Sequence, residues 1–201
     1  MKIAVLGAKT IGSTLARQWA RAGHEIMFGV RTVDNPATQA LAEELGAAVG
    51  VVAEATAFGD VVVFAIPGSA MEETIRLYGP ALDGKLAIDA ANRMGGGPLN
   101  SAAAFSAHAP GAAYYRAFNS LGWENFADPL YGDTPADLFY CGPAGGGQAT
   151  VEQLIADVGL RPVRVGDGGQ VHLVDAVGAL WLALVFGQGM SRQIAFKLLA
   201  R

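Results

Sequence analysis

The pattern of residues 1–31 constrains the fold of this chain most strongly, because it is typical of a strand, a glycine turn, a helix and a second strand in succession. Residues 2–6 form a short apolar run, Gly7 and Gly12 bracket the turn, and residues 25–30 form the second strand. A turn between a strand and a helix N-terminus gathers free N–H groups and the positive end of the helix dipole at one point, where anions bind. In a doubly wound sheet the anion is usually the pyrophosphate of a dinucleotide. The pattern therefore favours a dinucleotide site over an ordinary, ligand-free turn.

One residue departs from the dinucleotide fingerprint G-x-G-x-x-G, since Lys9 stands where the middle glycine is usual. That glycine normally lets the pyrophosphate approach the backbone. A lysine side chain either obstructs this approach or swings outward and adds a positive charge. The sequence leaves both arrangements open.

Composition limits the class of protein. The chain has 201 residues, of which 52% are hydrophobic and 16% charged, and this favours a single domain over residues 1–201 with extensive buried surface. The net charge of −4 gives no indication of a nucleic-acid or membrane partner. Cys141 is the one cysteine, so we expect neither a disulfide within the chain nor a thiolate metal cluster, and the setting we expect is cytoplasmic, without a signal peptide.

Strand and helix patterns alternate along the chain, which predicts an α/β fold: a Rossmann-type, doubly wound and mostly parallel sheet with C-terminal helices packed on it. The expected later strands are 48–51, 61–66, 86–89, 114–118, 137–141 and 161–165. The expected helices are 36–45, 53–58, 71–78, 99–108, 147–158 and 171–199, the last one broken near Gly187 and Gly189. Within it, the apolar run 176–189 is interpreted as a buried helix too short to span a membrane.

The end of the second strand predicts the type of cofactor. NAD-binding proteins place a carboxylate there for the ribose hydroxyls, whereas this strand ends at Arg31. A guanidinium pairs with a 2′-phosphate, so the sequence favours NADP(H) over NAD(H). The alternative is a solvated surface arginine.

Other strand ends offer further candidates for the same crevice. Ala65, Ile66 and Pro67 end the fourth strand beside the first, where ligands of open parallel sheets bind, although Pro67 is also a common way to end a strand. Asp89 and Asn92 follow the fifth strand and either face the crevice or, for Asp89, cap the loop. No spacing predicts a metal site or a Ser/His/Asp triad, which is consistent with hydride transfer by a cofactor.

These residues resemble the coenzyme F-420 (deazaflavin)-dependent NADP oxidoreductases over nearly the whole chain. The matching segments are 2–12, 22–26 with Arg31, 62–67, 117–123, 138–142, 159–162, 180–181 and 194–199.

The resemblance implies residues for each part of a cofactor site and of an acceptor pocket, with no catalytic residue certain. Its implied cofactor residues are Gly7, Ala8, Lys9, Thr10, Ile11 and Gly12 for the pyrophosphate, Val30, Arg31 and Thr32 for the 2′-phosphate, and Ala65, Ile66, Pro67, Ala90, Ala91 and Asn119 on the nicotinamide side. Its implied acceptor pocket is Phe118, Ser120 and Leu121, to which Trp123, Trp181 and Met190 are added as walls or, alternatively, core residues.

The leading hypothesis for function is an NADP-dependent oxidoreductase that passes a hydride between NADP(H) and coenzyme F-420 or a similar small planar acceptor. Two alternatives stay open: an NADPH-dependent reductase of ferric chelates, quinones or flavins, and a non-catalytic NADP(H)-binding redox sensor. Residues 171–199 are expected to form a helical substrate and dimer segment. The apolar helix within them predicts a homodimer.

Overall fold

The computed structural model describes residues 1–201 and contains an eight-stranded sheet in the order β10-β9-β6-β5-β4-β1-β2-β3. Every neighbouring pair in this sheet is parallel except β6 and β9. A separate small hairpin joins β7 to β8. The strands are β1 (Lys2–Leu6), β2 (Glu25–Val30), β3 (Ala48–Val51), β4 (Val61–Phe64), β5 (Leu86–Asp89), β6 (Ala113–Arg116), β7 (Leu130–Tyr131), β8 (Thr134–Pro135), β9 (Asp137–Cys141) and β10 (Arg161–Gly166).

Helices cover both faces of the sheet. Alternate residues of β1 belong to two different apolar clusters, with Ile3 and Val5 in the larger and Ala4 and Leu6 in the smaller. This arrangement explains the continuous apolar runs of the central strands, which are buried on both sides. The helices are α1 (Thr10–Arg21), α2 (Pro36–Leu45), α3 (Val52–Phe58), α4 (Gly68–Tyr78), α5 (Ala102–His108), α6 (Glu124–Ala127), α7 (Gly146–Asp157) and α8 (Val171–Leu182). The predicted α/β, doubly wound and mostly parallel fold is confirmed.

Two strands are shorter than the sequence predicted. β4 ends at Phe64 rather than at residue 66, and β6 ends at Arg116 rather than at residue 118. The chain turns sharply after β6, because Phe118 has a φ of 60°, which an extended strand cannot contain. The residues after both strands therefore leave the sheet and line its upper edge.

The C-terminal segment differs most from the expectation. Helical geometry continues from α8 through a π-helical turn, Ala183–Gly187, and residues 188–201 have no regular secondary structure, so the helix predicted up to residue 199 is wrong beyond Gly187. Gly189, with a φ of 69°, turns the chain back onto the molecule. There the Nε1 of Trp181 donates to the carbonyl of Ile194 at 2.9 Å, and the Leu198 amide donates to Asp137 at 2.6 Å. Tertiary hydrogen bonds thus replace those of a helix.

The apolar segment that includes α8 is more exposed than expected. Gly168–Gly187 is 20 residues long with a mean hydropathy of 1.6, which is long and apolar enough to cross a membrane, so the prediction of a run too short for this was wrong. In the most apolar 18-residue stretch of this segment only 22% is buried, so the prediction of a buried helix is also corrected. One face packs on the sheet through Val174 and Trp181, whereas Leu180 on another face is exposed. By itself, one such helix is weak evidence for a membrane segment.

Candidate functional site

The glycine turn after β1 lies where the strand order of the sheet reverses, with β4 on one side of β1 and β2 on the other. Gly7 has a φ of 99°, and a Cβ there would lie 2.6 Å from the carbonyl oxygen of Ala65. The amide of Gly7 donates to the carbonyl of Gly29 at 3.0 Å. The turn is therefore in contact with the ends of both neighbouring strands, and this is where ligands bind in open α/β sheets.

The start of α1 provides a cradle for an anion. A Cβ at Gly12 would lie 2.0 Å from the carbonyl oxygen of Gly7, so the turn and the helix approach more closely than any side chain allows. No side chain caps the first turn of α1, and Lys9 at the N-cap position is extended. The N–H groups of this turn thus stay available for an external acceptor. The chemistry of these donors fits a pyrophosphate.

Lys9 is exposed and lines an open pocket of about 510 Å³ between α1 and α6. Arg17, Arg21 and Trp123 line the same pocket. Arg17 is ion-paired with Glu44, whereas Lys9 makes no ion pair. Of the two arrangements considered for Lys9, the exposed position is consistent with a side chain that adds positive charge beside the turn.

Arg31 immediately follows β2 and is exposed, and its guanidinium makes neither a hydrogen bond nor an ion pair within the chain. Val30 is half-buried and pairs with Val51 of β3, and Thr32 is exposed. Asn35 is occupied in capping α2, since its side chain accepts hydrogen bonds from Ala37 and Thr38, both at 3.1 Å. Arg31 is thus the basic group free for an anion at this strand end, as a 2′-phosphate site requires.

The opposite side of the turn is formed by the ends of β4 and β5. Ala65 and Ile66 are half-buried and Pro67 is exposed, whereas Ala90 and Ala91 are 7% and 5% exposed. The assignment of these residues to a nicotinamide stays a prediction.

Asp89 is an internal capping group and does not face the crevice. Its carboxylate accepts hydrogen bonds from the amides of Ala91 at 3.1 Å and Ser101 at 2.9 Å and from the hydroxyl of Tyr114 at 3.2 Å. Burial raises the pKa of Asp89, although Arg116 opposes this shift. Burial and the neighbouring Asp89 together raise the pKa of Tyr114 well above its ordinary value. The capping interpretation of Asp89 is therefore the correct one.

Several side chains predicted for the acceptor pocket lie in the protein interior instead. Phe118 is 1% exposed and packs edge-on against Trp19 and Phe126, with ring centroids 5.6 Å and 5.8 Å away. Trp181 is 4% exposed beneath the C-terminal segment. These aromatic rings bury the largest apolar area available, which explains their position in the core. Ser120 and Leu121 are buried as well, whereas Trp123 and Met190 are exposed.

The side chain of Asn119, predicted to contact the cofactor, is also covered. It is 4% exposed, and both its amide nitrogen and its amide oxygen lack hydrogen-bond partners. A Cβ at Gly178 of α8 would lie 3.2 Å from the amide nitrogen, so helix α8 closes over this side chain. In this structure the Asn119 amide therefore does not reach the open crevice.

His24 has a structural role. His24 bonds to Asp157 at 2.7 Å and so ties the start of β2 to α7. No group of three His, Cys, Asp or Glu side chains is placed to hold a metal ion. A buried ionic cluster around Arg116, Asp89 and Asp175 lies next to the crevice, and it could not be predicted from the sequence because Arg116 and Asp175 are 59 positions apart.

Comparison with known proteins agrees with this geometry. Residues 2–93 match the family of coenzyme F-420-dependent NADP oxidoreductases. The resemblance inferred from the sequence is thereby confirmed over β1 to β5, the part that carries the glycine turn and Arg31, which is similar to NAD(P)-binding oxidoreductases of this family. A search of curated proteins finds no match.

Solved structures extend the likeness to the whole chain. A candidate F-420-dependent NADP reductase from Arthrobacter sp. FB24 is 23% identical, with a TM-score of 0.80 and 96% of each chain covered, and at this identity it shows the shared fold. A hypothetical protein from Sinorhizobium meliloti is 27% identical, with a TM-score of 0.70 over 83% of this chain and 85% of its own. A reductive aminase from Aspergillus terreus, in complex with NADPH4, cyclohexanone and allyl amine, is 25% identical with a TM-score of 0.68. The match covers 94% of this chain but 61% of the aminase.

Proposed function

We propose that this protein is an NADP-dependent oxidoreductase that transfers a hydride between NADP(H) and a deazaflavin such as coenzyme F-420, or a similar small planar acceptor. The observation that carries the proposal is the unpaired guanidinium of Arg31 at the end of β2, beside the uncapped start of α1. The family match over residues 2–93 supports the same cofactor.

The cofactor would be held at three places. The free N–H groups of residues 8–11 would bind the pyrophosphate, with Lys9 adding a charge from outside the turn. Val30, Arg31 and Thr32 would bind the 2′-phosphate, and the valine offers only its backbone for this. The ends of β4 and β5 would border the nicotinamide, whose carbon 4 supplies or accepts the hydride when the cofactor is bound.

The protein's contribution to the rate would be positional. The site contains no buried acid or base aimed into the crevice, since Asp89 is occupied by internal hydrogen bonds. Hydride transfer requires alignment of two rings and exclusion of water more than it requires proton transfer. Trp123 and Met190 are the exposed side chains of the predicted acceptor pocket, and they would contact the acceptor.

A direct assay tests the acceptor. Purified protein is mixed with NADP⁺ and reduced deazaflavin, and the absorbance of the oxidised deazaflavin is followed. The proposal predicts that the absorbance of the oxidised deazaflavin rises at a rate proportional to protein concentration. Absence of turnover by protein that binds NADPH would reject a deazaflavin as acceptor, and ferric chelates, quinones and flavins would be tested next.

A second candidate is a non-catalytic NADP(H)-binding redox sensor. The observation that favours it is the burial of Phe118, Ser120, Leu121 and Trp181, which leaves a small acceptor surface in one copy of the chain. This candidate predicts thermal stabilisation by NADPH without its oxidation by any acceptor. We also propose a homodimer in the cytoplasm, with the exposed apolar face of α8 as the contact between subunits.

A further inference from the structure

A fully buried guanidinium stands at the end of β6, directly beneath the predicted nicotinamide side of the site. Arg116 is 0% exposed. Its Nη1 donates to the backbone carbonyls of Asp89, at 3.1 Å, and Ala91, and its Nη2 donates to the Oδ1 of Asn92 at 2.7 Å. Three hydrogen bonds thus fix the path of the chain as it leaves β5.

The same guanidinium also reaches helix α8. Its Nε donates to the Oδ1 of Asp175 at 2.9 Å, and its Nη1 lies 3.0 Å from the Oδ1 of Asp89. The other oxygen of Asp175 accepts from the amide and the side chain of Asn100 at 3.1 Å and 2.7 Å. Residues 90–101 are therefore held at both ends, near Ala91 by Arg116 and at Asn100 by Asp175.

The side chain of Asn92 connects Arg116 to the turn after β6. Its Nδ2 donates to the carbonyl of Asn119 at 2.9 Å while its Oδ1 accepts from Arg116. Asn119 follows Phe118, whose φ of 60° is unfavourable for a non-glycine residue. The strained turn after β6 is thus linked to the chain after β5 through a single amide.

Stability alone is a poor explanation for this cluster. Buried ion pairs lose much of their attraction to desolvation and are often no more stable than apolar packing. The same region also buries the unpartnered hydroxyls of Ser101 and Ser120 and the unpartnered amide of Asn119. Unpaired buried polar atoms are costly and rare, and a region that contains several is held in place for another reason.

We propose that Arg116 is a positioning residue for the nicotinamide half of the cofactor. By tying residues 90–92 and the turn at Asn119 to α8, it sets the shape of the pocket in which the nicotinamide would lie. The inference rests on the proposed function, because it takes the nicotinamide side of the site from there. The adenosine half would bind at the ends of β1 and β2, to which no side chain of the cluster is hydrogen-bonded, and its binding should be independent of Arg116.

Two ligands, one with and one without the nicotinamide ring, distinguish a positioning role of Arg116 from a general loss of folded structure. NADP⁺ and 2′-phospho-ADP-ribose, which lacks that ring, are titrated calorimetrically into wild type, Asn92→Ala and Asp175→Asn. Loss of a hydrogen bond to a charged group predicts that both variants bind NADP⁺ about tenfold more weakly, while 2′-phospho-ADP-ribose binds as in the wild type. Arg161→Met is the matched control, since it removes an ion pair with the buried Asp137 on β9, at another part of the sheet, and both ligands should bind it normally.

Hydrogen exchange provides a readout that needs no ligand. In Arg116→Met and Asn92→Ala, the amides of Ala91 and Ser101 should lose protection relative to wild type, whereas those of β1 should keep it.

If the variants bind both ligands equally more weakly, the positioning role alone is overturned. Unchanged NADP⁺ binding together with unchanged amide hydrogen exchange would overturn it as well. Failure of the wild type to bind either ligand would reject the proposed function and this inference with it. The two failures are therefore distinguishable.

Discussion

At the scale of single residues, the glycines of the first turn were predictable because each has a steric reason. Gly7 requires a positive φ, and Gly12 leaves no room for a Cβ. Arg31 follows β2 and is exposed, and its role at a 2′-phosphate stays a prediction that rests on the absence of a carboxylate at this strand end. The side chains of Phe118 and Trp181 were not predictable, since an aromatic residue near a pocket and one in the core look alike in a sequence.

Gly12→Ala tests the closest approach in the site. The added methyl group would lie 2.0 Å from a backbone oxygen that cannot move without displacing β1, so we expect unfolding to become about 2 kcal/mol easier and NADPH binding to be lost. Gly146→Ala, at the start of α7 with open space around it, is the matched control and should leave both unchanged. Chemical denaturation and NADPH titration measure the two effects. A Gly12→Ala protein that binds NADPH normally would contradict the assignment of the anion site to this turn.

At the scale of elements, most strands and helices follow from apolar periodicity and from glycine stops, whereas the ends of β6 and α8 do not. Both end where tertiary contacts are stronger than local preference. The turn at Phe118 is held by packing on Trp19, and residues 188–201 are held by bonds to α8, α6 and β9. Contacts between residues so distant in sequence leave no periodic signal.

Asp137 anchors the C-terminal segment to β9, and its ionisation should make that anchor depend on pH. Burial alone would raise the pKa of Asp137, but hydrogen bonds from Arg161, the Leu198 amide and Lys197 lower it to about 2. Because the pKa is lower in the folded than in the unfolded state, this carboxylate stabilises the fold above about pH 4 by about 2 kcal/mol, and the contribution disappears as the pH falls towards 2.

Asp137→Asn should therefore be less stable than wild type at pH 7 by about that amount, with the difference shrinking as the pH falls from 4 towards 2. Urea unfolding at a series of pH values measures it. Asp133→Asn, an exposed aspartate without hydrogen bonds, is the control. A stability difference for Asp137→Asn that does not change with pH would contradict the assigned ionisation.

At the scale of the whole molecule, the doubly wound architecture was predictable from the alternation of strands and helices, while the cluster around Arg116 was not. That cluster joins β5, β6 and α8, which only the folded chain brings together. The exposed apolar face of α8 is also a property of the whole molecule. Leu173 and Leu180 of α8 are 45% and 51% exposed, which is more apolar surface than a stable monomer usually leaves on one helix, and Phe186 in the π-helical turn after α8 is 66% exposed.

A homodimer would cover this face. Light scattering at micromolar concentration should give the mass of two chains for wild type and of one chain for Leu180→Glu, because a buried carboxylate without a partner is strongly unfavourable. Leu77→Glu, at an exposed leucine of α4, is the control and should remain dimeric. A monomeric wild type would refute the interface.

The proposed contact between Arg31 and the 2′-phosphate of NADP(H) can be tested directly. NADPH and NADH are titrated into wild type and Arg31→Ala by fluorescence. We expect wild type to prefer NADPH by at least about tenfold, and Arg31→Ala to lose that preference while its NADH affinity stays the same, since only the phosphate contact is removed. Equal affinity of the wild type for the two cofactors, or an unchanged preference in Arg31→Ala, would contradict the assignment of Arg31 to the 2′-phosphate.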